Sequence, residues 1–528
     1  MKKFLFFVGC LGLLQCQPHT SFDLIITGGA ILDGSGSESF QADLGIREGK
    51  IVFIGKLKGN EGTEKIDGRG KIISPGFIDL HTHLEPLMEM PDATSHVMQG
   101  VTTALGGPDG GGPWPFGAYL DSLENYFHLG MNVAYLAGHN VIRKKVMGLE
   151  NRDPSPAELQ EMKEMVSKAM DEGAFGLSTG LKYLPGTFSK TEEVIVLANQ
   201  AGKKGGIYTS HLREEGLGLF AGVREAIEIG KNAHLPVVLT HHKAIGKPMW
   251  GKSVVTLALV DSARNAGIDV MMDQYPYTAS HTGLSVLIPA WSLDGGAEKF
   301  LERTQNKILK DSILSGITFN ILNDRGGGDL KLIQFARVSW DSSLEGKTLY
   351  DYALGQQVEP NAIEGAKLVL GIQLKGGANC IFHAMGEEDV ERIMSHPFTM
   401  HASDGSLTAF GVGHPHPRAY GTFPRVLGYY VREKKILTLE EAIRKMTSMP
   451  AARLGLKNRG LVKKGYQADL VIFDPNDIGD QATFEKPHQY PKGIFEVIVN
   501  GIRVVREGKM TEARGGKVLR GGGYLGIE

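Results

Sequence analysis

The region from about residue 76 to 449 alternates between short apolar segments and amphipathic helices, and this rhythm constrains the fold of the 528-residue chain most. Helical hydrophobic spacing occurs at 156–172, 192–203, 221–232 and 254–266. The last three of these segments are each followed by an apolar or β-branched run, at 205–210, 236–240 and 268–273. Repeated strand–helix units predict a parallel barrel, whose functional residues follow the carboxyl ends of strands. An open doubly wound sheet is the alternative, but no Gly-x-Gly-x-x-Gly fingerprint follows a first strand.

The two ends of the chain have a different pattern, in which apolar and polar residues alternate between glycine turns. This pattern predicts short antiparallel strands at 23–31, 42–46 and 50–54, and again at 467–474 and 496–501. We expect both ends to pair into one small β domain, formed by residues 22–75 and 450–520. The barrel then occupies residues 76–449. Within it, residues from about 295 to 375 fit the rhythm poorly and are predicted to be an insertion that covers one face.

The first 16 residues are predicted to be a secretory signal, because two lysines precede a short apolar run at 4–14. Residues 13–16, Leu-Leu-Gln-Cys, resemble a bacterial lipobox whose Cys16 becomes lipidated. Gln15 departs from the small residue usual at that position, so plain export is the alternative. We therefore expect an exported bacterial protein that is periplasmic or anchored to the membrane through a lipid on Cys16.

Charge and cysteine content restrict the kinds of partner. The net charge of −2 gives no basic field for nucleic acid, so we expect a small-molecule substrate and no nucleic-acid partner. The sequence does not indicate an oligomeric state. Of the three cysteines, Cys10 and Cys16 lie in the signal segment, which leaves only Cys380 and excludes a disulfide framework in the mature chain.

Metal-ligating residue types recur directly after apolar strands. In an extended segment Ile78 and Leu80 point away from the two histidines that follow them, so two imidazoles emerge on one face at a strand end. Asp109, His211 and His241 stand in the same way at the ends of three further predicted strands. Asp404 follows another apolar run and precedes a glycine. The complete set is His81, His83, Asp109, His211, His241 and Asp404.

This set of side chains suits zinc-dependent hydrolysis. Imidazole and carboxylate are zinc ligands, and zinc lowers the pKa of a bound water to about 7. A neighbouring carboxylate can take the proton of that water and return it to a leaving nitrogen, and Asp404 is the candidate for this role. Asp109 has a second interpretation, because Asp-Gly in a glycine-rich loop is also a common turn former.

Several longer motifs resemble the amidohydrolase superfamily, and its N-acyl-D-amino-acid deacylase (D-aminoacylase) family in particular. The likeness runs from about residue 22 to 510. The motifs are Pro-Gly-Phe-Ile-Asp-Leu-His-Thr-His at 75–83, the glycine-rich segment 173–186, Ser-His-Leu-Arg at 210–213, Thr-His-His-Lys at 240–243, Asp-Gln-Tyr-Pro-Tyr at 273–277, Ser-Asp-Gly at 403–405 and His-Pro-Arg at 416–418.

The resemblance implies a distorted (β/α)8 TIM barrel, a small β-sandwich domain built from both termini, and zinc. It implies that His211 and His241 hold one tightly bound ion, with His81 and His83 holding or supporting a weaker second one. The family pattern has a cysteine where this chain has Asp109, a harder ligand, which leaves one or two metals as alternatives.

The resemblance also implies which residues bind substrate. Lys243 resembles the family's anchor for the substrate α-carboxylate, with Tyr275, Ser280 and Arg418 as companions. In a strand His242 would point away from His241, so we interpret His242 as structural and expect Lys243 to return to the face of the site.

The sequence therefore predicts zinc-dependent hydrolysis of the amide bond of N-acyl-D-amino acids. One alternative on the same scaffold is a dipeptidase acting on L-Xaa-D-Xaa or isoaspartyl peptides, or a cyclic-amide hydrolase. Another is a non-catalytic lipoprotein that binds zinc or a ligand, which the presence of Asp404 argues against. The acyl group and the preferred side chain are not indicated.

Overall fold

The computed structural model describes residues 22–57 and 62–526. The predicted signal segment, residues 1–16 with Cys16, lies outside these described residues. Within them, no helix combines the length and the apolar character needed to cross a membrane.

Eight parallel strands form the centre of the molecule, as the rhythm of the sequence predicted. The third strand is interrupted at Leu136, so that its first half pairs with the second strand and its second half with the fourth. The remaining neighbours pair in parallel in chain order. In chain order the strands are Phe77–Asp79, Val101–Gly106, Asn132–Tyr135 with Ala137–Gly138, Gly176–Gly180, Ile207–His211, Val237–Leu239, Val270–Gln274 and Thr399–His401.

Polar contacts close the ring between the eighth strand and the first. The buried Asp79 ends the first strand, and its Oδ1 accepts hydrogen bonds from the backbone N–H of Ser403 (2.9 Å) and of His81 (3.2 Å). The backbone N–H of Asp404 donates to the carbonyl oxygen of His81 (2.8 Å). The same seam continues in two short parallel strands, Thr82–His83 and Gly405–Ser406. Two separate parts of the chain are thereby fixed side by side.

Helices surround the strands and bury one apolar face each. In the helix Leu219–Ala233, for example, Leu219, Val223, Ala226 and Ile229 are buried at helical spacing. The four helices predicted from periodicity are confirmed as Pro156–Asp171, Thr191–Gly202, Leu219–Ala233 and Ser253–Asn265. Other helices outside the ring are Thr94–Val97, Phe116–Tyr126, His139–Met147, Arg418–Arg425, Leu439–Met446 and Ser448–Arg453, and Val426–Glu433 is π-helical.

The connection between the seventh and eighth strands is longer than the predicted insertion. It spans residues 275–398 rather than about 295–375, because strands on both sides of the predicted range do not join the barrel. Those strands form a separate antiparallel sheet in the order Ser280–Gly283, Asn379–Phe382 and Ile333–Arg337. The helices of this connection are Gly296–Gln305, Lys307–Asn323, Leu349–Gly355, Ala362–Leu374 and Glu387–Ser395.

Strands from both ends of the chain form two sheets that enclose a common apolar core, which includes Leu24, Ile46, Ile73 and Ile472. Two pairings differ from the antiparallel expectation, because Phe22–Thr27 pairs in parallel with Gly62–Asp67, and Ala30–Ile31 pairs in parallel with Ile72–Pro75. The smaller sheet has the order Lys50–Gly55, Asp43–Arg47, Phe22–Thr27 and Gly62–Asp67. The larger has the order Lys509–Met510, Ile502–Arg506, Ile494–Val499, Leu470–Phe473, Ile72–Pro75, Ala30–Ile31 and Phe40–Gln41.

The last part of the chain leaves this sandwich and runs along the barrel. The backbone N–H of Gly516 donates to the carbonyl oxygen of Leu129, and that of Leu519 donates to Val133 (2.8 Å each). At the other end, the strand Ile72–Pro75 leads directly into the first barrel strand. The sandwich therefore positions the strand whose end carries His81 and His83.

Candidate metal centre and active site

The six predicted ligand and base residues lie at one edge of the barrel. Each follows the carboxyl end of a barrel strand or is its last residue, and such ends meet at the same rim of a parallel barrel. The first, second, fifth, sixth and eighth strands contribute, in that order, His81 with His83, Asp109, His211, His241, and Asp404.

Two groups of possible metal-binding atoms share Asp109. The first contains His81, His83, Asp109 and Asp404, and the second contains Asp109, His211 and His241, with the binding atoms in each group within 4.8 Å of one another. Asp109 Oδ1 lies 3.4 Å from the Nε2 atoms of both His81 and His241. Its Oδ2 lies 3.7 Å from His83 Nε2 and from His211 Nδ1. One carboxylate therefore faces four imidazoles.

The hydrogen bonding of these atoms suits a bound cation. Within the described residues, His81 Nε2 and Asp109 Oδ1 are buried without a hydrogen-bond partner. His211 Nδ1 and His241 Nε2 face each other at 2.8 Å. Buried polar atoms normally have partners, so converging unsatisfied nitrogen and carboxylate atoms indicate a cation-binding site. Imidazole nitrogen and carboxylate oxygen are ligands that zinc accepts, and the donor set fits this ion.

Three site residues adopt left-handed backbone conformations that are uncommon outside glycine. Their φ angles are +54° for Asp109, +35° for His241 and +49° for Asp404. Such conformations cost roughly 1–3 kcal/mol each and persist only where the surroundings impose them. At His241 the backbone N–H donates to Asp273 Oδ1 (2.6 Å), which holds the turn. The turns direct the three side chains back over the rim of the barrel.

Glu215 is a site residue that the sequence did not reveal. Its Oε1 lies 2.6 Å from Lys243 Nζ and 3.1 Å from His241 Nδ1, and its Oε2 lies 3.5 Å from His211 Nε2. Burial raises the pKa of Glu215, but the charges of His211 and Lys243 outweigh it and hold that pKa well below its usual value. If His211 Nδ1 and His241 Nε2 bind a metal, their other nitrogens carry the protons, and Glu215 is the acceptor facing both.

Asp404 has one oxygen at the histidines and one at an arginine. Its Oδ1 lies 3.4 Å from His81 Nε2 and 3.3 Å from His83 Nε2, while its Oδ2 lies 2.7 Å from Arg418 Nη1. Burial raises the pKa of Asp404, but the charge of Arg418 and those of nearby histidines outweigh it and hold that pKa well below its usual value. Asp404 is therefore ionised at neutral pH and can accept a proton.

The predicted substrate-binding residues line the same cavity, which has a volume of about 320 Å³. The Tyr275 ring lies between two cations, with its centroid 5.6 Å from Lys243 Nζ and 4.7 Å from Arg418 Cζ. Ser280 is buried, and its Oγ has no hydrogen-bond partner among the described residues. The cavity is lined by Lys243, Tyr275, Ser280 and Arg418 together with His83, Asp109, His211, His241 and Asp404.

The local backbone around Lys243 differs from the predicted strand. The sixth barrel strand ends at Leu239, and the following residues form a turn. Strand alternation therefore does not explain why Lys243 faces the cavity; the left-handed turn at His241 does. His242 points elsewhere and forms a hydrogen bond between its Nε2 and Thr256 Oγ1 (2.8 Å), consistent with its interpretation as structural.

Two further cavity residues were also missed. Arg325 begins the glycine-rich stretch 325–329, yet it is only 2% exposed and lines the catalytic cavity. Tyr183 lines this cavity and an adjoining cavity of about 980 Å³, and its ring centroid lies 4.4 Å from that of His211. Tyr183 falls within a family motif, which was a usable signal, whereas Arg325 reaches the site only through the insertion.

The site and the fold can be compared with known proteins. The model of the Amidohydrolase family matches residues 364–505. The D-aminoacylase of Alcaligenes xylosoxydans xylosoxydans is 35% identical over 94% of this chain and 97% of its own. The N-acyl-D-glutamate deacylase of the same organism is 35% identical over 94% of this chain and 96% of its own.

A solved structure gives the same result in three dimensions. The crystal structure of N-acyl-D-glutamate deacylase from Bordetella bronchiseptica, complexed with zinc and a phosphonate inhibitor, is 34% identical. It covers 95% of this chain and 100% of its own, with a TM-score of 0.81. The predicted family and barrel fold are confirmed. Similarity along almost the whole length, and not one motif alone, establishes that this chain belongs to the D-aminoacylase family of amidohydrolase enzymes.

Proposed function

We propose that this chain is a zinc-dependent enzyme that hydrolyses the amide bond of N-acyl-D-amino acids, giving a carboxylate and a free D-amino acid. The observation that carries the proposal is one cavity of about 320 Å³ that joins a metal-ligand set to a cationic pocket. The metal-ligand set suits hydrolysis of an amide, and the cationic pocket suits recognition of the carboxylate next to that amide. The similarity to a D-aminoacylase and to an N-acyl-D-glutamate deacylase supports the substrate class.

The ligand geometry assigns residues to the metal. Asp109, His211 and His241 would hold a tightly bound zinc ion. His81 and His83, again with Asp109, would hold or support a weaker second one. When bound, zinc supplies Lewis-acid polarisation of the substrate carbonyl and lowers the pKa of a water.

Asp404 would move the proton. Its ionised Oδ1 faces the histidines, and its Oδ2 is held by Arg418 at 2.7 Å. In hydrolysis the oxygen of water bonds to the acyl carbon, and Asp404 takes a proton from that water. As the C–N bond breaks, Asp404 returns the proton to the leaving nitrogen. The products are the carboxylate of the acyl group and the free amine.

The cationic pocket would bind the α-carboxylate of the substrate. Lys243, Tyr275, Ser280 and Arg418 surround one part of the cavity, and the unpartnered hydroxyl of Ser280 can donate to a carboxylate oxygen. The planar fork of arginine and the ammonium group of lysine both suit this anion. Binding at this point would orient the amide bond toward Asp404.

The test is amine release by the zinc-loaded protein from matched N-acetyl-D- and N-acetyl-L-amino acids with several side chains. We expect turnover of D substrates, a strong preference over L, and loss of turnover after zinc is removed with a chelator. Turnover of L substrates alone would overturn the proposal. If the zinc-bound protein hydrolyses neither the D nor the L substrates, dipeptides that end in a D residue are tested next, and then binding without catalysis.

We also propose that the protein is exported and that Cys16 carries a lipid. The support is the charged and apolar segment at residues 1–16, with its lipobox-like end. Mass spectrometry of the mature N-terminus, together with membrane fractionation of a Cys16→Ala variant, tests this. We expect a lipid-modified Cys16 and release of the variant from the membrane fraction. An unprocessed N-terminus would refute export.

A further inference from the structure

Arg325 is a buried cation in the catalytic cavity that the proposed chemistry does not use. It follows the helix Lys307–Asn323 in the connection between the seventh and eighth barrel strands. Only 2% of its surface is exposed, and it lines the cavity that also contains Lys243 and Arg418. The long insertion therefore delivers a charge from outside the barrel to the reaction site.

The guanidinium of Arg325 has unused hydrogen-bonding capacity. It makes no side-chain hydrogen bond to any residue in the ranges 22–57 and 62–526, and its buried Nε is without a partner. The nearest carboxylate oxygens are Glu215 Oε2, 3.5 Å from Nη2, and Asp324 Oδ2, 3.7 Å from Nε. A guanidinium has five N–H donors, and leaving such groups buried and unpaired is costly.

The other two cations of the cavity are differently placed. Lys243 Nζ lies 2.6 Å from Glu215 Oε1, and Arg418 Nη1 lies 2.7 Å from Asp404 Oδ2. Glu215 Oε1 is thus held closely by Lys243 and His241, whereas its Oε2 has only longer contacts of 3.5 Å, to His211 Nε2 and to Arg325 Nη2. Among these three cations, Arg325 is the one whose donors are most available to a ligand.

We propose that Arg325 binds a second carboxylate of the substrate, distinct from the α-carboxylate, and so selects dianionic N-acyl-D-amino acids. This inference rests on the proposed function, which places the α-carboxylate at Lys243, Tyr275, Ser280 and Arg418. The second carboxylate can belong to the side chain of the D residue or to the far end of the acyl group. Similarity alone does not fix the side chain of the substrate, because a D-aminoacylase, an N-acyl-D-glutamate deacylase and an N-acyl-D-aspartate deacylase are all 35% identical to this chain.

The experiment compares each acidic substrate with its neutral isostere in the zinc-loaded protein. N-acetyl-D-glutamate against N-acetyl-D-glutamine tests the side chain, and N-succinyl-D-leucine against its terminal amide tests the acyl group. We expect a preference of about 10- to 100-fold in kcat/KM for the acid in one of the pairs, the range for a charge-assisted hydrogen bond. The pair that shows it identifies the source of the carboxylate.

The variants are Arg325→Met and the matched control Arg337→Met. Arg337 lies in the same insertion, but its side chain is 53% exposed. Arg325→Met should abolish the preference, because kcat/KM of the acidic substrate falls, chiefly through KM, by about 10- to 100-fold more than that of its neutral isostere. The control should retain the preference. Equal losses for acidic and neutral substrates would show that Arg325 only positions Glu215 and would overturn the inference.

Failure of the proposed function gives a different result. If neutral N-acyl-D-amino acids are hydrolysed without any acid preference, the function stands and the role of Arg325 is refuted. If no N-acyl-D-amino acid is hydrolysed, calorimetry with both acid–neutral pairs, the side-chain pair and the acyl-group pair, still measures selective binding. Equal affinity of the wild type for the two members of each pair would then overturn the inference as well.

Discussion

The neighbouring glutamates Glu214 and Glu215 provide a matched test of how the metal ligands are held. Glu215 faces His241 Nδ1 at 3.1 Å and His211 Nε2 at 3.5 Å, and it binds Lys243 Nζ at 2.6 Å. Glu214 instead pairs with Lys182 Nζ at 2.9 Å, and its side chain is 44% exposed. The substitutions Glu215→Gln and Glu214→Gln therefore remove the same charge from two very different environments.

The size of the effect follows from these contacts. Loss of one hydrogen-bond acceptor behind a metal-ligating histidine lowers metal affinity by roughly 10- to 100-fold. Glu215 faces two such histidines, so we expect Glu215→Gln to weaken zinc binding by about 100-fold, or about 2.7 kcal/mol. Glu214 pairs with Lys182 and not with a ligand histidine. Glu214→Gln should therefore leave the zinc affinity within about twofold of the wild type.

The assay is zinc competition with a chromophoric chelator, combined with urea unfolding of the metal-free proteins. Unfolding separates metal affinity from stability, because Glu215→Gln also removes the charge that compensates the buried Lys243. Breaking such a pair costs up to roughly 3–5 kcal/mol, and the remaining amide oxygen should lessen this cost. If Glu215→Gln and Glu214→Gln bind zinc equally well, the proposed tautomers of His211 and His241 are wrong.

Three further predictions concern catalysis, pH dependence and the junction between the sheets. Asp404→Asn should lower kcat/KM by roughly 10²- to 10⁴-fold in zinc-loaded protein, because the proton acceptor is lost; unchanged turnover in steady-state kinetics would refute its role. Burial lowers the pKa of Lys445 from 10.5 to about 8. The unfolded chain then binds more protons between pH 8 and 10.5, so stability should rise by about 3 kcal/mol across this window. In urea unfolding, a Lys445→Met variant should lack this rise in stability with pH. If the variant and the wild type show the same dependence of stability on pH, the assignment to Lys445 is wrong. Asp469→Ala should lower the free energy of unfolding by roughly 3–5 kcal/mol, because it leaves the buried Arg459 without its carboxylate. The exposed control Asp477→Ala should change it by less than about 1 kcal/mol, and similar losses would refute the role of the buried pair.

The barrel, and the meeting of the candidate ligand residues at its rim, could be predicted because both depend on local periodicity. A segment whose apolar residues recur with a helical period of about 3.6 residues, followed by an apolar run, identifies a strand–helix unit without any knowledge of distant residues. The carboxyl ends of parallel strands must then meet at one rim, whatever the loops do. His81, His83, His211 and His241 stand at such ends, so their proximity follows from the fold class alone.

Glu215 and Arg325 could not be found in this way because neither lies in a regular element whose phase fixes its direction. Glu215 follows His211 in an irregular segment, and nothing local distinguishes it from the exposed Glu214. Arg325 lies in a glycine-rich sequence typical of an exposed loop. Its burial depends on packing of the insertion against the barrel, a contact between segments far apart in the chain. The insertion boundaries failed for a similar reason, since Ser280–Gly283 and Asn379–Phe382 pair in a separate sheet although they lie far apart in the chain.

The two interpretations of Asp109, turn former and metal ligand, are not alternatives in this structure. Asp109 and Asp404 each precede a glycine, and Asp-Gly is a local signal for the left-handed conformation that both adopt. That conformation is what turns the carboxylates back toward the histidines. The Asp-Gly pair, which by itself predicts only a turn, therefore supplies the geometry of the site. His241 lacks such a signal, and Asp273 holds its backbone instead through a 2.6 Å hydrogen bond. A turn motif at the end of a barrel strand is thus compatible with a chemical role, and the contacts of its side chain decide between the two.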